Sequence, residues 1–172
     1  MTTKDLQPNE FHEYYGRYID KVDDNCPLIE AFENGKANVT DFFGTIPKAK
    51  QQFRYATDKW SIKEVFQHLI DTERIFMYRC FRIARNDKTP LAGFDQNVYI
   101  APSAADQKSM YALLAEFEAV RDHSISLLKS LSEDDLASIG NSNGSPMSGR
   151  AAAFVIPGHE IWHMDVVKEK YL

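Results

Sequence analysis

The segment from Ser61 to Arg85 carries the pattern that most restricts how this chain can fold. Ser61 and Glu64 form an S-x-x-E capping box, in which each side chain can bond a free backbone N–H at a helix start. Apolar residues then recur at helical spacing, namely Ile62, Val65, Phe66, Leu69, Ile75 and Phe76. The pattern predicts one long amphipathic helix from Ile62 to about Arg85.

Helical periodicity also dominates the rest of the chain, and strand patterns are poor. We expect further helices over Asn9–Phe32 (one helix, or two broken at Pro27), Val39–Gly44, Asp106–Leu131, a short turn from Ser132, and Gly149–Tyr171 with an interruption at Pro157 and Gly158. Two segments are predicted as loops, a long crossover over Asn86–Ala105 and a polar loop over Gly140–Gly149. Residues 1–172 are thus predicted to form a single all-α domain, a four-helix bundle with a long crossover loop.

Composition and charge exclude several classes of protein. The chain has 172 residues, 44% of them hydrophobic, and a formal net charge of -5. An acidic chain lacks the basic surface that general nucleic-acid binding requires. Two cysteines do not form a disulfide framework, no apolar run reaches membrane-spanning length, and the polar N-terminus shows no secretory signal. We therefore expect a cytoplasmic protein that binds neither nucleic acid nor membrane.

A pair of histidines near the C-terminus predicts a metal site. His159 and His163 are four residues apart, so their side chains lie one turn apart on the same face of the last helix. That H-x-x-x-H spacing allows two imidazoles to bind one ion. The same face continues with Val155, Ile156, Val166 and Val167. The pair is therefore expected to face the core, where two imidazoles need a partner that a metal supplies.

Two other interpretations of this pair stay open from the sequence. Glu160 directly follows His159, as in the H-E-x-x-H motif of zinc metalloproteases. That interpretation needs a third ligand downstream, where only Asp165 and Glu169 are available. Alternatively, each histidine is a separate surface or core residue without a metal.

His68 is the expected third ligand. Its helical neighbours Val65, Thr72 and Ile75 place it on an inward, mostly apolar stripe, although a lone core histidine is more often structural. Metal sites in bundle cores take their ligands from facing helices. Three histidines leave a coordination position open, which is typical of catalytic sites. We expect zinc first, with nickel, iron, manganese or copper as alternatives.

Two more residues on the helix of His68 have alternative roles. Asp71 either orients an imidazole by hydrogen bonding or forms a surface ion pair with Arg74. Arg79 lies eleven residues after His68 and nearly in phase with it. It either points into the open end of the bundle, where it would hold an anionic substrate or Asp95, or lies on the surface.

The stretches that carry these residues resemble the DinB-like superfamily, and within it the YfiT-type group of metal-dependent enzymes. The matching stretches are DKWSIKEVFQHLID from Asp58 to Asp71, PLAGFDQNVY from Pro90 to Tyr99, EFEAVR from Glu116 to Arg121 and GHEIWHM from Gly158 to Met164. The resemblance implies a four-helix bundle, commonly dimeric, whose metal ligands correspond to His68, His159 and His163. It also implies the chemistry of better-studied members, which transfer thiols such as bacillithiol or mycothiol or act as thiol-dependent isomerases.

These inferences lead to one expected function and two alternatives. The expected function is a divalent-metal-dependent thiol S-transferase, which uses a low-molecular-weight thiol to attack a small electrophile, with a metal-bound thiol or water as the catalytic group. The first alternative is a hydrolase that uses metal-bound water. The second is a non-enzymatic metal- or ligand-binding protein whose coordination is filled by protein groups. A homodimer is the expected assembly.

Overall fold

Seven α-helices and one β-hairpin make up the structure, a computed structural model that describes residues 1–172. In chain order the elements are α1 (Gly16–Ile19), α2 (Leu28–Gly44), α3 (Ile62–Ala84), α4 (Asn97–Ser103), α5 (Met110–Lys129), α6 (Glu133–Ala137), β1 (Ile139–Ser142), β2 (Ser145–Ser148) and α7 (Gly149–Lys170). Helices α3 and α2 each pack against both α5 and α7, which closes a bundle of four long helices. The predicted all-α, four-helix architecture is therefore confirmed.

Helix α3 begins and ends where the sequence predicts. The Ser61 hydroxyl accepts a hydrogen bond from the backbone N–H of Glu64 (3.1 Å), and the Glu64 carboxylate accepts one from the N–H of Ser61 (2.8 Å). This reciprocal cap satisfies two N–H groups that the first turn would otherwise leave free. Arg54 forms an ion pair with the same carboxylate, which attaches the preceding loop to the helix start.

The N-terminal region differs from the predicted helix over Asn9–Phe32. Its first part contains only short turns and α1, whereas α2 begins at Leu28, directly after Pro27, and includes the segment Val39–Gly44. Proline has no N–H to donate, and a helix start tolerates it because the first N–H groups have no helical partner in any case. Pro27 therefore precedes a helix instead of breaking one.

A β-hairpin takes the place of the polar loop predicted over Gly140–Gly149. Strands β1 and β2 pair in antiparallel register. Asn143 and Gly144 connect them with positive φ angles of 54° and 81°, which is the backbone that a two-residue type I′ turn requires. The Asn-Gly pair is a hairpin signal in the sequence, but strands of four residues are too short to show a clear alternation.

The crossover segment Asn86–Ala105 packs against this hairpin and contains α4. Leu91 donates a backbone hydrogen bond to Asn141 (2.9 Å) and accepts one from Asn143 (2.8 Å). A Cβ on Gly93 would lie 2.2 Å from Oδ1 of Asn143, so a larger residue would displace the Asn143 side chain. The crossover segment and the hairpin tip thus form one continuous wall beside the bundle.

Helix α7 is continuous from Gly149 to Lys170, so the predicted interruption at Pro157 and Gly158 is wrong. Proline removes one hydrogen bond, and the burial of α7 against α1, α2 and α3 compensates for that loss. Gly158 has a separate role, because a Cβ at this position would lie 1.9 Å from the carbonyl oxygen of Tyr18. Glycine there allows α1 to pack directly on the backbone of α7.

The bundle core consists of two apolar clusters with a polar layer between them. One cluster contains Phe76, Cys80, Leu128 and Phe154, and the other contains Val39, Phe66, Phe117 and Val167, each among other residues. Buried polar residues lie between them along the helices, namely His68, Thr72 and Glu73 of α3, Arg121 of α5, and His159, Glu160 and His163 of α7. Buried polar groups are costly without partners, so this layer marks the candidate functional site.

Candidate metal centre

The three predicted ligand residues meet in the polar layer between α3 and α7. His68 lies on α3, and His159 and His163 lie one turn apart on α7. One ring nitrogen from each histidine lies within 4.8 Å of those of the other two, and the Nε2 atoms of His68 and His159 are 3.1 Å apart. Two nitrogens bound to one tetrahedral zinc ion at about 2.0–2.1 Å are about 3.3 Å apart, so this spacing is compatible with a shared ion.

Burial keeps all three imidazoles neutral at physiological pH. Removal from water lowers the pKa of His68 to about 4. Burial and the neighbouring His68 ring lower the pKa of His163 to about 3. The pKa of His159 also lies well below its usual range, mainly because of burial and further because of the two other rings. Neutral imidazole is the form that binds a metal ion.

The chemistry of the donor set fits a divalent metal ion. Nδ1 of His163 is buried and has no hydrogen-bond partner, and the Nε2 atoms of the other two histidines contact each other. No carboxylate or thiol joins the three rings as a further potential ligand. Three imidazoles suit zinc, nickel, iron or copper, and they leave at least one position of a four-coordinate ion for another molecule.

Aromatic rings pack against each imidazole. The pairs are Trp60 with His68 (4.9 Å between ring centroids), Tyr18 with His159 (5.0 Å) and Trp162 with His163 (4.7 Å). Tyr18 reaches the site because Gly158 allows α1 to lie against α7. Tight packing restricts the rotamers of the three rings, which keeps their nitrogens close together.

Thr72, not Asp71, lies beside the His68 ring. The Thr72 hydroxyl is 3.4 Å from Nδ1 of His68. Asp71 accepts hydrogen bonds from Arg74 and Gln67 (3.0 Å each) and contacts no imidazole. Of its two alternative roles, the structure therefore shows the ion pair with Arg74. Helical residues four apart are offset by about 40°, and residues three apart by about 60° in the opposite sense, so Thr72 lies closer to the face of His68.

The three histidines line a cavity of about 700 Å³. Its wall also includes the rings of Tyr14, Tyr15, Tyr18, Trp60, Trp162 and Phe94, together with Asn97, Ser142 and Asn143 from the crossover segment and the hairpin. A cavity of this volume is in the range that encloses a small molecule. The site therefore has room for a substrate beside the three imidazoles.

Arg79 is part of the same cavity wall, and its side chain is only 2% exposed, so the alternative of a surface arginine is wrong. Its Nη2 donates a hydrogen bond to the carbonyl oxygen of Ala92 (3.1 Å), and the guanidinium lies over the rings of Phe76 (4.8 Å) and Phe94 (5.6 Å). It forms no ion pair with Asp95, which instead accepts hydrogen bonds from Asn97. The pairing with Asp95 that the sequence suggested is therefore absent.

A second buried arginine, which the sequence patterns did not reveal, joins all four long helices. Arg121 of α5 donates two hydrogen bonds to Glu73 of α3 (2.9 and 2.8 Å), one to Glu160 of α7 and one to the Phe32 carbonyl of α2 (3.0 Å). Burial raises the pKa of Glu160, and the positive charge of Arg121 opposes that shift. Because Glu160 adjoins His159, this network fixes the part of α7 that carries His159.

The only sequence signal for this network is a charged residue on an otherwise apolar helical stripe, as at Arg121 and Glu73. Such a residue is more often solvated, so the pattern by itself is weak. Gly35 of α2 provides a further indication in the structure, since a Cβ there would lie 2.8 Å from Nη1 of Arg121. The glycine leaves space for the guanidinium between the helices.

Comparison with known families identifies the relatives of this chain. The family model for the DinB superfamily matches residues 31–167, a range that includes all three histidines. The chain belongs to the DinB superfamily. The resemblance inferred from the sequence is therefore confirmed. No curated protein sequence matches the chain.

Solved structures support the same fold for this DinB-superfamily chain. YfiT from Bacillus subtilis, described as a probable metal-dependent hydrolase with an unusual four-helix bundle topology, is 14% identical, with a TM-score of 0.73 over 95% of this chain and 89% of that one. A mycothiol-dependent maleylpyruvate isomerase is 12% identical, with a TM-score of 0.65 over 99% of this chain and 63% of that one. This chain thus corresponds to less than two thirds of the isomerase.

No helix of this chain is both long and apolar enough to cross a membrane.

Proposed function

We propose that this chain is a metal-dependent enzyme that transfers a low-molecular-weight thiol to a small electrophile. The observation that carries the proposal is a set of three buried imidazoles, without a fourth protein ligand, in the wall of a cavity of about 700 Å³. A catalytic metal site keeps a position open for substrate, whereas protein groups close a structural one. The arrangement therefore counts against a non-enzymatic binder with fully occupied coordination.

His68, His159 and His163 would hold the ion, which we propose is zinc, with nickel, iron, manganese or copper as alternatives. When bound, the ion would supply Lewis acidity that lowers the pKa of a thiol or a water molecule beside it. The chain contributes rings that are already neutral at pH 7 and therefore need not lose protons before they bind. Thr72 beside His68 restricts the orientation of that ring.

The remaining cavity residues would bind and orient the substrate. Trp60, Trp162 and Phe76 give the wall an apolar part, which binds the nonpolar portion of an electrophile by excluding water. Asn97 and Asn143 supply amide groups that can hydrogen-bond to its polar portion. A substrate held in this way lies against the imidazoles, so the reacting groups are brought together before reaction.

The two structural relatives support different reactions at this site. The isomerase is described as mycothiol-dependent, which favours thiol chemistry, and YfiT is described as a probable metal-dependent hydrolase. Hydrolysis by water is therefore the second candidate function. The two reactions would use the same three histidines and differ in whether a thiol or water attacks the electrophile.

The products distinguish these candidates. Protein loaded with zinc, and in parallel with nickel, manganese or iron, is incubated with cysteine, glutathione, bacillithiol or mycothiol and with an electrophile such as 1-chloro-2,4-dinitrobenzene. Mass spectrometry then detects either a thiol adduct or incorporation of ¹⁸O from labelled water. We expect a thiol adduct with wild type and its loss in His163→Ala, while His123→Ala, at an exposed position on α5, retains activity. Equal rates for wild type and His163→Ala across the panel would refute the proposal.

We also propose that the chain forms a homodimer, as the family resemblance implies. An apolar groove between α3 and α5, next to the partly exposed rings of Tyr78 and Phe81, is a surface that such an assembly could cover. Light scattering coupled to size exclusion measures the mass directly. A single species at the monomer mass would contradict this proposal.

A further inference from the structure

We infer that the cavity binds a carboxylate of its substrate between Arg79 and Ser142, at the end remote from the three histidines. The inference rests on the proposed function for the reaction at the histidines and deepens it by naming the substrate class. The carboxylate site itself depends on groups that are separate from the metal ligands. They lie on the C-terminal half of α3 and on β1.

Arg79 carries a buried positive charge without a negative partner. The guanidinium donates one hydrogen bond to a backbone carbonyl and lies over the faces of two aromatic rings. Its Nη1 is buried and has no hydrogen-bond partner. Arginine stays protonated in proteins, so burial cannot neutralise it. A buried charge without an ion pair is costly, and a bound carboxylate would remove that cost through charge-assisted hydrogen bonds.

Ser142 provides a second donor in the same part of the wall. It is 2% exposed, and its hydroxyl is buried without a hydrogen-bond partner. Its strand pairs with Leu91, next to the Ala92 carbonyl that accepts from Arg79, so both residues adjoin the same short piece of the crossover segment. Two residues with unpartnered donors, on two separate elements but beside the same crossover residues, thus line the cavity together.

The charges around the cavity also favour an anion. Its wall contains the cations Arg17, Lys59 and Arg79 but only one carboxylate, that of Asp58, which leaves an excess of two positive charges when the histidines are neutral. The whole chain has the opposite sign, with a formal net charge of -5. A positive cavity in an acidic protein concentrates anionic substrates at the site.

The geometry of α3 limits the length of the substrate. His68, Thr72, Phe76 and Arg79 follow one another along the cavity side of the helix. Eleven residues at a rise of 1.5 Å separate the backbones of His68 and Arg79 by about 16 Å. Side chains on a helix point toward its N-terminus at both positions, so only the greater length of the arginine shortens this gap, and the guanidinium and the His68 ring stay about 10–16 Å apart. The carboxylate therefore belongs to a molecule in which several bonds separate it from the reacting atom.

Calorimetry with ligands that lack a free thiol tests the carboxylate site without a metal–thiolate bond. The probes are S-methylglutathione and its uncharged diethyl ester, and the proteins are wild type, Arg79→Gln, Arg79→Lys and Ser142→Ala. Arg85→Gln, an exposed arginine near the end of α3, is the matched control. We expect wild type and Arg85→Gln to prefer the acid over the ester by about 10- to 100-fold, the range for charge-assisted hydrogen bonds. Arg79→Gln should abolish this preference, whereas Arg79→Lys and Ser142→Ala should retain part of it.

A second pair of probes identifies which substrate carries the carboxylate. If the thiol carries it, the preference appears with S-methylglutathione. If the electrophile carries it, the preference appears with 4-chloro-3-nitrobenzoate over its methyl ester. Absence of a preference in both pairs, or an unchanged preference in Arg79→Gln, would overturn the inference.

Two further measurements distinguish carboxylate binding from a purely structural role of Arg79 and from the reaction at the histidines. If Arg79 only anchored the crossover segment, Arg79→Gln would lower the melting temperature and weaken acid and ester equally. The preference should persist in metal-free His163→Ala protein, because the carboxylate site does not include the metal ligands. If wild type shows the preference but transfers no thiol, the carboxylate site is upheld and only the proposed reaction is refuted.

Discussion

Replacing Arg121 by methionine tests whether the buried charge network holds the four long helices together. The substitution keeps an unbranched side chain but removes the guanidinium, which leaves the carboxylates of Glu73 and Glu160 buried without a cation. Removal of one partner from a buried ion pair costs about 3–5 kcal/mol. The whole free energy of unfolding of a domain is about 5–15 kcal/mol, so the expected loss is a large fraction of it.

Denaturant and thermal unfolding measure this loss. For a domain of this size each kcal/mol corresponds to about 2–4 °C, so Arg121→Met should lower the melting temperature by about 6–20 °C. The loss should be larger at pH 8 than at pH 5.5. Burial raises the pKa of Glu160 even beside Arg121, and loss of that cation raises it further. A protein that holds an acid with a raised pKa loses stability as pH rises. The histidines titrate in wild type and variant alike, so their contribution cancels in the difference.

Two control variants identify the cause of the loss. Arg74→Met removes a partly exposed arginine that pairs with Asp71 and Glu116, and should cost at most about 1 kcal/mol. Combining Arg121→Met with Glu73→Met and Glu160→Met removes all three charges and should recover most of the stability, because an apolar core does not leave charges unpaired. An equal loss at both pH values, or no recovery in the triple variant, would refute the electrostatic cause.

The metal ligands, the helix crossing and the buried thiol give four more predictions. Chelation should lower the melting temperature of metal-loaded wild type but leave that of His68→Ala unchanged, because a ligand stabilises only the protein that binds it. The free energy of unfolding of metal-free protein should decrease as pH falls from about 6.5 toward 4. The reason is that histidines in the unfolded chain bind protons, whereas the buried rings of His68 and His163 do not. The slope of this free energy against pH should be smaller in His68→Ala. Gly158→Ala should cost about 1–3 kcal/mol in denaturant unfolding, because its Cβ meets the Tyr18 carbonyl oxygen, and an unchanged free energy would contradict the contact. Burial raises the pKa of the Cys80 thiol to about 12, so in native protein it should not react with Ellman's reagent, and it should react once denaturant is added.

Local patterns were sufficient for the parts of the site that lie within one helix. The capping box at Ser61 located the start of α3, and the spacing of His159 and His163 placed both rings on one face. The inward position of His68 followed from its apolar neighbours for the same reason. All three predictions rest on the fixed turn of an α-helix, which relates residues three and four apart whatever surrounds them.

The errors arose where the outcome depended on more distant contacts. The sequence alone did not show that α1 crosses α7 at Gly158, that the crossover segment docks on the hairpin, or that Thr72 and not Asp71 lies beside His68. Pro27 was ambiguous for a related reason, since proline is compatible with the start of one helix as well as with the end of another.

Residue order along the chain was enough to establish which residues could share a helical face, and hence that three histidines could point inward. The packing of the helices was needed to place α3 beside α7, so that ring nitrogens 91 residues apart come within 3.1 Å. The same packing left Arg79 and Ser142 without partners beside a cavity and paired Arg121 with two acids. Helical periodicity is a property of neighbouring residues, whereas burial, desolvation and the pairing of charges depend on how whole helices meet.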